Sequence, residues 1–402
     1  MSRNIRVLRL VLIGAFGLAG SAAAWSNASL NFWLAQKPGN PANPLAGDPR
    51  VISEGVDAAA LYAGQVESAE LDKVTANARK AMRIEPLWIS GVRNLALSSR
   101  ASQTPEWFAQ MKLAEGINRR DAVVESGLYD NAILQGDFAG ALIHADRIML
   151  VRPRNAEAMF PILNAMAEEP SAFDELARKG DRAWFREWIS AAYSKPESVN
   201  LDAVTAVMLA TKINFGSDYP WIVGAVLRSL DRNQKYGLLR QSAIGAGGAK
   251  PDQIAEFGFS ETTTRAELAP VAWKLVSNGS DTAQWSEMAG LDVSLKPSSS
   301  VGVLERVTWF APGNYQLSQS PAQPLSGAVP DMQWHMNCMV AGSPQPWRYE
   351  APSARVEAGF EVNVAISPSC PIQRWHLRAV TGEGQVQSQF SIANVDLRVS
   401  RP

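Results

Sequence analysis

Between about Ser53 and about Ser260, apolar residues recur at three- and four-residue spacing, alanine and leucine are frequent and β-branched runs are scarce, a pattern that predicts helices. In Asp137 to Val151, Phe138, Ala141, Leu142, Ala145, Ile148 and Met149 fall on one stripe, and His144, Asp146 and Arg147 are expected to point elsewhere. Pro153 stops this helix, and Gly136-Asp137 separates it from an amphipathic stretch at Asp121 to Gln135, with Val124, Leu128, Ala132 and Ile133 on its apolar side. Two helices joined by so tight a turn cannot bury their apolar sides alone, so further pairs must stack on them. After about Thr264 the texture changes to short alternating runs bounded by Gly, Pro, Ser and Asn. Strands are predicted near Val271–Ser277, Gly290–Leu295, Val301–Phe310, Gly313–Gln319, Met332–Val340, Phe360–Ser367, Ile372–Ala379 and Ser388–Val399. That number of short strands suits an antiparallel β-sandwich or jelly roll.

The N-terminus carries a different signal. Arg3, Arg6 and Arg9 precede an apolar run from Leu10 to Trp25 that ends in Ala22-Ala23-Ala24, the plan of a secretory signal. Two readings stand. Cleavage before Trp25 releases a soluble protein. Retention leaves residues 7–25 as an inner-membrane anchor, although Leu10 to Trp25 alone falls short of the ~20 residues a spanning helix needs. Either way the body is expected in the periplasm or cell envelope.

Length and charge narrow the picture. A chain of 402 residues is expected to divide into more than one domain. The division read here is 1–25 signal or anchor, 26–52 a Pro/Gly/Asn-rich spacer, 53–262 a helical solenoid and 263–402 a β-sandwich. With 38 basic against 39 acidic residues, no basic excess exists to attract a nucleic acid. Gly245-Ala-Gly-Gly248 follows a helix rather than a strand and reads as a turn, not a phosphate cradle.

Ala-Met-Arg-Ile-Glu-Pro86 and Ile-Met-Leu-Val-Arg-Pro153 are similar helix ends 67 residues apart, about twice the ~34-residue tetratricopeptide period. Leu128, Gly136, Phe138, Ala141 and Pro153 resemble one tetratricopeptide (TPR) repeat, with its best match at 121–153, and Leu61, Ala78, Ala81 and Pro86 resemble a second. Tyr129 and Ile148 depart from the small residues usual at those places. The resemblance implies a TPR-like α-solenoid whose concave face takes a protein partner. Trp107, Trp184, Trp188, Tyr193 and Trp221 are expected to fill its inter-helix core.

In an exported chain two cysteines in one small domain are expected to pair, here Cys338 with Cys370; two buried free thiols are the alternative. Closing that loop would constrain the unfolded chain by about 3–4 kcal/mol. Trp-Phe-Ala-Pro-Gly-Asn-Tyr-Gln-Leu (309–317), Trp-His-Met-Asn-Cys338, Phe-Glu-Val (360–362) and Cys-Pro-Ile-Gln-Arg-Trp (370–375) together resemble galactose-binding-like jelly rolls, a fold of carbohydrate-binding modules. The resemblance spans roughly 265–402 and implies glycan recognition. Alternation places Trp334, Met336 and Cys338 on one strand face and His335 and Asn337 on the other; Trp375 and Leu377 likewise oppose Arg374, His376 and Arg378. If the disulfide crosses the core, the tryptophans lie inside. His335, Asn337, Arg374, His376 and Arg378 then form a polar surface that either meets a glycan or is merely solvated. Trp347, in a proline-bounded loop, is a further candidate contact.

No Gly-x-Ser-x-Gly, His-Glu-x-x-His or Walker pattern occurs, and the three histidines (His144, His335, His376) show no metal-ligand spacing. No catalytic residue, cofactor or metal is therefore assigned. The expectation is a non-enzymatic scaffold or binding protein of the cell envelope, in extracellular polysaccharide biosynthesis or export. A pure protein–protein adaptor and a carboxylate-based glycan hydrolase are the alternatives.

Overall fold

The computed structural model describes residues 49–400, except 212, 277–280, 287–289, 341–345 and 383–386, with backbone alone for 49–51. The signal or anchor segment 1–25 and the spacer as far as residue 48 lie outside the described residues. Among those described, no helix is long and apolar enough to cross a membrane. The chain divides into two compact units, Met1–Lys212 and Ile213–Pro402. The helices after residue 213, read from sequence as the end of a solenoid over 53–262, thus cluster with the sheets.

The first unit is helical: α1 Pro49–Glu54, α2 Ala58–Tyr62, α3 Ser68–Ile84, α4 Ile89–Ala101, α5 Trp107–Ile117, α6 Ala122–Gln135, α7 Phe138–Val151, α8 Phe160–Ala167, α9 Pro170–Arg178, α10 Ala183–Ser194 and α11 Leu201–Ala210. Helices α3 to α7 pack successively on one another. Both sequence echoes are helix ends, with α3 and α7 each stopping two residues before a proline. Asp121 caps α6 by accepting from Val123 N at 3.0 Å and Val124 N at 3.2 Å. Gly136 then turns the chain with φ 72°, a conformation glycine adopts without strain, and Asp137 accepts from Gly140 N at 2.9 Å to start α7. Trp184, Trp188 and Tyr193 are buried and Trp107 half-buried, whereas Trp221, in the second unit, is 58% exposed.

Helix α7 departs from its expected polarity. His144 and Asp146 are buried, because α7 packs against α6 on one side and α9 on another. Each buried polar group has partners. His144 Nδ1 lies 2.6 Å from Glu125 Oε2, and Asp146 accepts from Trp184 Nε1 at 2.9 Å and pairs with Lys179 at 3.2 Å.

The second unit opens with α12 Phe215–Asp218, α13 Pro220–Arg232, α14 Tyr236–Gly245 and α15 Pro251–Ala255. The glycine run after α14 is a turn; a Cβ on Gly216 would lie 2.5 Å from the Gly247 carbonyl, so backbone meets backbone there. Twelve strands follow among the described residues: β1 Lys274–Leu275, β2 Thr282–Trp285, β3 Leu291–Leu295, β4 Ser300–Thr308, β5 Gly313–Gln319, β6 Ala322–Ser326, β7 Asp331–Cys338, β8 Trp347–Ala351, β9 Phe360–Ile366, β10 Gln373–Val380, β11 Ser388–Ile392 and β12 Val395–Val399, with helix α16 (Ser353–Ala358) after β8. They form antiparallel sheets ordered β1-β4-β10-β7-β8, β2-β3-β11-β6 and β12-β5-β9 around one shared core. Cys338 and Cys370 are joined, fastening the end of β7 to the segment before β10.

The strands absent from the sequence reading, β2, β6 and β8, are all sheet edges. Edge strands keep weak alternation and tolerate proline; Pro324 lies within β6, and Pro346 directly precedes β8. The predicted strand 388–399 divides at Ala393-Asn394, and its halves join different sheets. Buried Ile392 and Val395 are an odd number of residues apart, so one straight strand could not bury both.

The segment between helices and sheets is fixed by two side chains. Phe257 inserts its ring into the core, with centroids 5.0 Å from both Trp273 and Trp375. Arg306, fully buried on β4, donates to Val271 O at 2.7 Å and Ile254 O at 2.9 Å, and also to Glu256 O. Burial lowers its pKa to about 9, so the guanidinium stays charged at neutral pH. Replacing Arg306 by Met keeps volume but strips backbone carbonyls of donors, each worth about 1–3 kcal/mol when buried. The expected loss is about 2–5 kcal/mol in urea unfolding followed by tryptophan fluorescence; a loss under about 1 kcal/mol contradicts this role. A fragment beginning at 263 lacks Phe257 and two of those acceptors, and its thermal midpoint should fall below that of one beginning at 213.

Candidate functional site

The five-stranded sheet has an inner and an outer face, separated by strict alternation. Inward go Met332, Trp334 and Met336 from β7 and Trp375, Leu377 and Ala379 from β10, all buried. The buried indoles are satisfied: Trp334 Nε1 donates to Gln319 Oε1 at 3.1 Å and Trp375 Nε1 to Thr308 Oγ1 at 3.0 Å. A bulge at Val303 of β4 sets Gly302, rather than Val303, opposite Arg378.

Register arranges the outer face in rows across the strands. One row reads Glu305, His376, His335, Arg348; the next reads Gly302, Arg378, Gln333, Glu350; on the other side stand Val307, Arg374 and Asn337. Of the residues singled out from sequence, His335, Asn337, Arg374, His376 and Arg378 therefore share this face. They are not equivalent. Arg374 is held between Asp231 of α13 and Glu305, the latter at 3.1 Å from Nη1, which makes it a structural tie. Arg378 is exposed and donates to Ser300 Oγ at 3.0 Å. His335, His376, Asn337 and Gln333 are half-buried, while Arg348 and Glu350 are exposed.

Trp347 stands apart. It opens strand β8 rather than lying in a loop, and it packs on the inner side of that edge. Its ring is 6.1 Å from Trp375 and nearly parallel to Tyr349 at 6.3 Å. Sequence reading missed Arg348 and Glu350 because β8 went unrecognised. The available signal was the alternation of Trp347, Tyr349 and Ala351 against Arg348 and Glu350.

Both outer-face histidines are held below the usual histidine pKa. For His376 burial is the main cause, with Glu305 acting upward and Arg374, His335 and Arg378 downward. For His335 burial again leads, followed by Arg348 and Arg378, with Glu350 opposing.

Among the described residues, Glu115, Glu125 and His144 offer ligand atoms within 4.8 Å of one another. The sequence reading had given His144 no glutamate neighbour; Glu125 supplies one from the previous helix. Arg147 bonds Glu115 and lies 3.2 Å from Glu125 Oε1, so a cation already balances these carboxylates. The cluster reads as an ion-pair network joining α5, α6 and α7.

No family model matches the chain, and no curated protein matches it. Among solved structures, a carbohydrate-binding module, TmCBM61 in complex with β-1,4-galactotriose, aligns over 32% of this chain and 88% of that one, at 9% identity and TM-score 0.24. Promiscuous carbohydrate-binding modules of the β-sandwich super family align over 31% of this chain and 55% of theirs, at 9% identity and TM-score 0.23. A family GH115 4-O-methyl-α-glucuronidase, BtGH115A, aligns over 75% of this chain and 45% of its own, at 10% identity and TM-score 0.20. At such TM-scores the assignment of function rests on the residues themselves.

The depressed histidines give a pH test. An unfolded histidine binds a proton near pH 6.5, whereas these folded ones bind theirs lower, so the unfolded state carries more protons in that window. Stability should then fall as pH drops below about 6.5. Urea midpoints at pH 7.5 and 5.5 measure this, and His335→Gln with His376→Gln should flatten the difference; an unchanged difference contradicts the assignment.

Proposed function

We propose that this is a non-enzymatic, exported cell-envelope protein in which the outer face of the five-stranded sheet recognises glycan and the helical unit holds a protein partner. The observation that carries the glycan reading is the polar strip on β10, β7 and β8. Gln333, His335, Asn337, His376, Arg348 and Arg378 present donors and acceptors at strand spacing, about 4.8 Å between strands, suited to a row of sugar hydroxyls. The galactose-binding-like jelly-roll reading of residues 263–402 accords with this use of a sheet face.

The TPR-like reading supports a protein partner for the helical unit. The α6–α7 hairpin has the tight glycine turn of such repeats, and α7 leaves Ile143, Leu150 and Val151 exposed although its other sides are packed. Export is supported by the Cys338–Cys370 bond, which persists in oxidising compartments. The N-terminal signal pattern points the same way.

The test is affinity electrophoresis of the protein from residue 25 onward in gels containing individual bacterial polysaccharides. Retardation by at least one polymer is expected, weakened severalfold in Gln333→Ala and Arg378→Ala, about what one or two lost hydrogen bonds to charged or polar groups cost. If no polymer slows the protein, the adaptor reading takes its place, and crosslinking in intact envelopes should then recover a stable partner.

A further inference from the structure

We propose that the outer strip of the five-stranded sheet binds acidic glycans, and that the cross-strand pair His335 and His376 makes their binding tighten in acid. This rests on the glycan reading of the same face and adds the charge class of the ligand.

The geometry is specific to this face. His376 and His335 stand directly opposite each other on β10 and β7. Arg348 of β8 stands opposite His335, and Arg378 lies two residues beyond His376 on the same side of β10. The four groups thus occupy adjacent positions across three strands. Two are permanent cations and two become cations in acid, below the ordinary histidine range.

Among the described residues, the charged groups on this face come from the strands of the sheet and one helix. From β4 comes Glu305, already committed to Arg374 at 3.1 Å and Lys274 of β1 at 3.8 Å. From β8 come Arg348 and Glu350, and from β10 come Arg374 and Arg378. Asp231 of α13 is taken by Arg374. Glu350, opposite Gln333, and Asp331, opposite Val380 and accepting from Ser353 N at 2.7 Å, are the remaining carboxylates among the described residues, set against Arg348 and Arg378. Protonating either histidine therefore adds positive charge beside Arg348 and Arg378. Burial first, and after it those arginines, hold both histidines below their ordinary pKa. An anion seated between Arg348 and Arg378 would offset the arginines' part of that penalty, and by reciprocity protonation would strengthen its binding. Carboxyl groups titrate near pH 4 and remain ionised while the histidines charge. The whole chain has a net charge of −1, so attraction to a polyanion has to come from a local patch.

The experiment is affinity electrophoresis and ionic-strength titration of the full chain from residue 25, at pH 7.5 and 5.5, with circular dichroism confirming the fold at both. Polygalacturonate, dextran sulfate and a neutral galactan are the probes. Polygalacturonate should bind roughly three- to tenfold tighter at pH 5.5, the range supplied by two added surface ion pairs. Arg378→Gln and Arg348→Gln should weaken binding at both pH values. His335→Gln with His376→Gln should abolish the gain in affinity between pH 7.5 and pH 5.5, whatever its effect on affinity at pH 7.5. Binding to the neutral galactan with none to polygalacturonate overturns the charge class but leaves the glycan reading standing; binding to no polymer overturns both. Dextran sulfate should show the same acid response, and equal affinity at the two pH values for both polyanions overturns the role of the histidine pair.

Discussion

The second unit depends on burying a positive charge without a direct carboxylate partner. Arg306 lies inside the sandwich, and its guanidinium is satisfied by carbonyls of residues 254, 256 and 271, which belong to the connecting segment rather than to the sheets. Burial of an ion costs several kcal/mol even after relaxation, so such a side chain is stable only where its donors meet well-placed acceptors. Here those acceptors hold the chain end of α15 against β4. Phe257, carried by the same segment, then packs among Trp273, Trp334 and Trp375. The aromatic core backs the inner side of β7 and β10, and the outer histidine rows inherit their rigidity from it.

Much of this was legible in the sequence where a periodic signal was strong. Interior strands with clean alternation, such as β7 and β10, lie close to their expected bounds, and so do the α6 and α7 helices with their Asp caps and Gly136 turn. What was not legible follows from physics that alternation does not encode. Edge strands have one partner and no need for a continuous apolar face, which hid β2, β6 and β8. Trp347 looked like a loop residue because prolines flank it, yet the edge of a sheet is where proline is tolerated. Polar residues on α7 were expected to face water because the chain does not advertise a second packing neighbour; His144 and Asp146 are buried against partners 19 and 38 residues away.

The candidate surface was partly visible for the same reason. Parity alone puts His335, Asn337, Arg374, His376 and Arg378 together, but it cannot say which are occupied. Tertiary contacts decide that: Arg374 is spent on Asp231 and Glu305, whereas Arg378 and Arg348 remain turned to solvent. Register adds what parity lacks, namely that the two histidines meet across one strand pair, with Arg348 next in their row and Arg378 in the adjacent one. A structural tie and a candidate recognition strip therefore sit side by side on one face, distinguished by whether α13 reaches them.

The central claim is that glycan meets the outer face of the five-stranded sheet. The most direct measurement is proton NMR of the three histidine side chains during titration with a polysaccharide that retards the protein. His144, buried in the helical unit against Glu125, serves as the internal reference. The account predicts that the His335 and His376 ring signals shift with polymer while those of His144 do not. A titration that moves His144 alone, or leaves all three unchanged while the polymer binds, would contradict it.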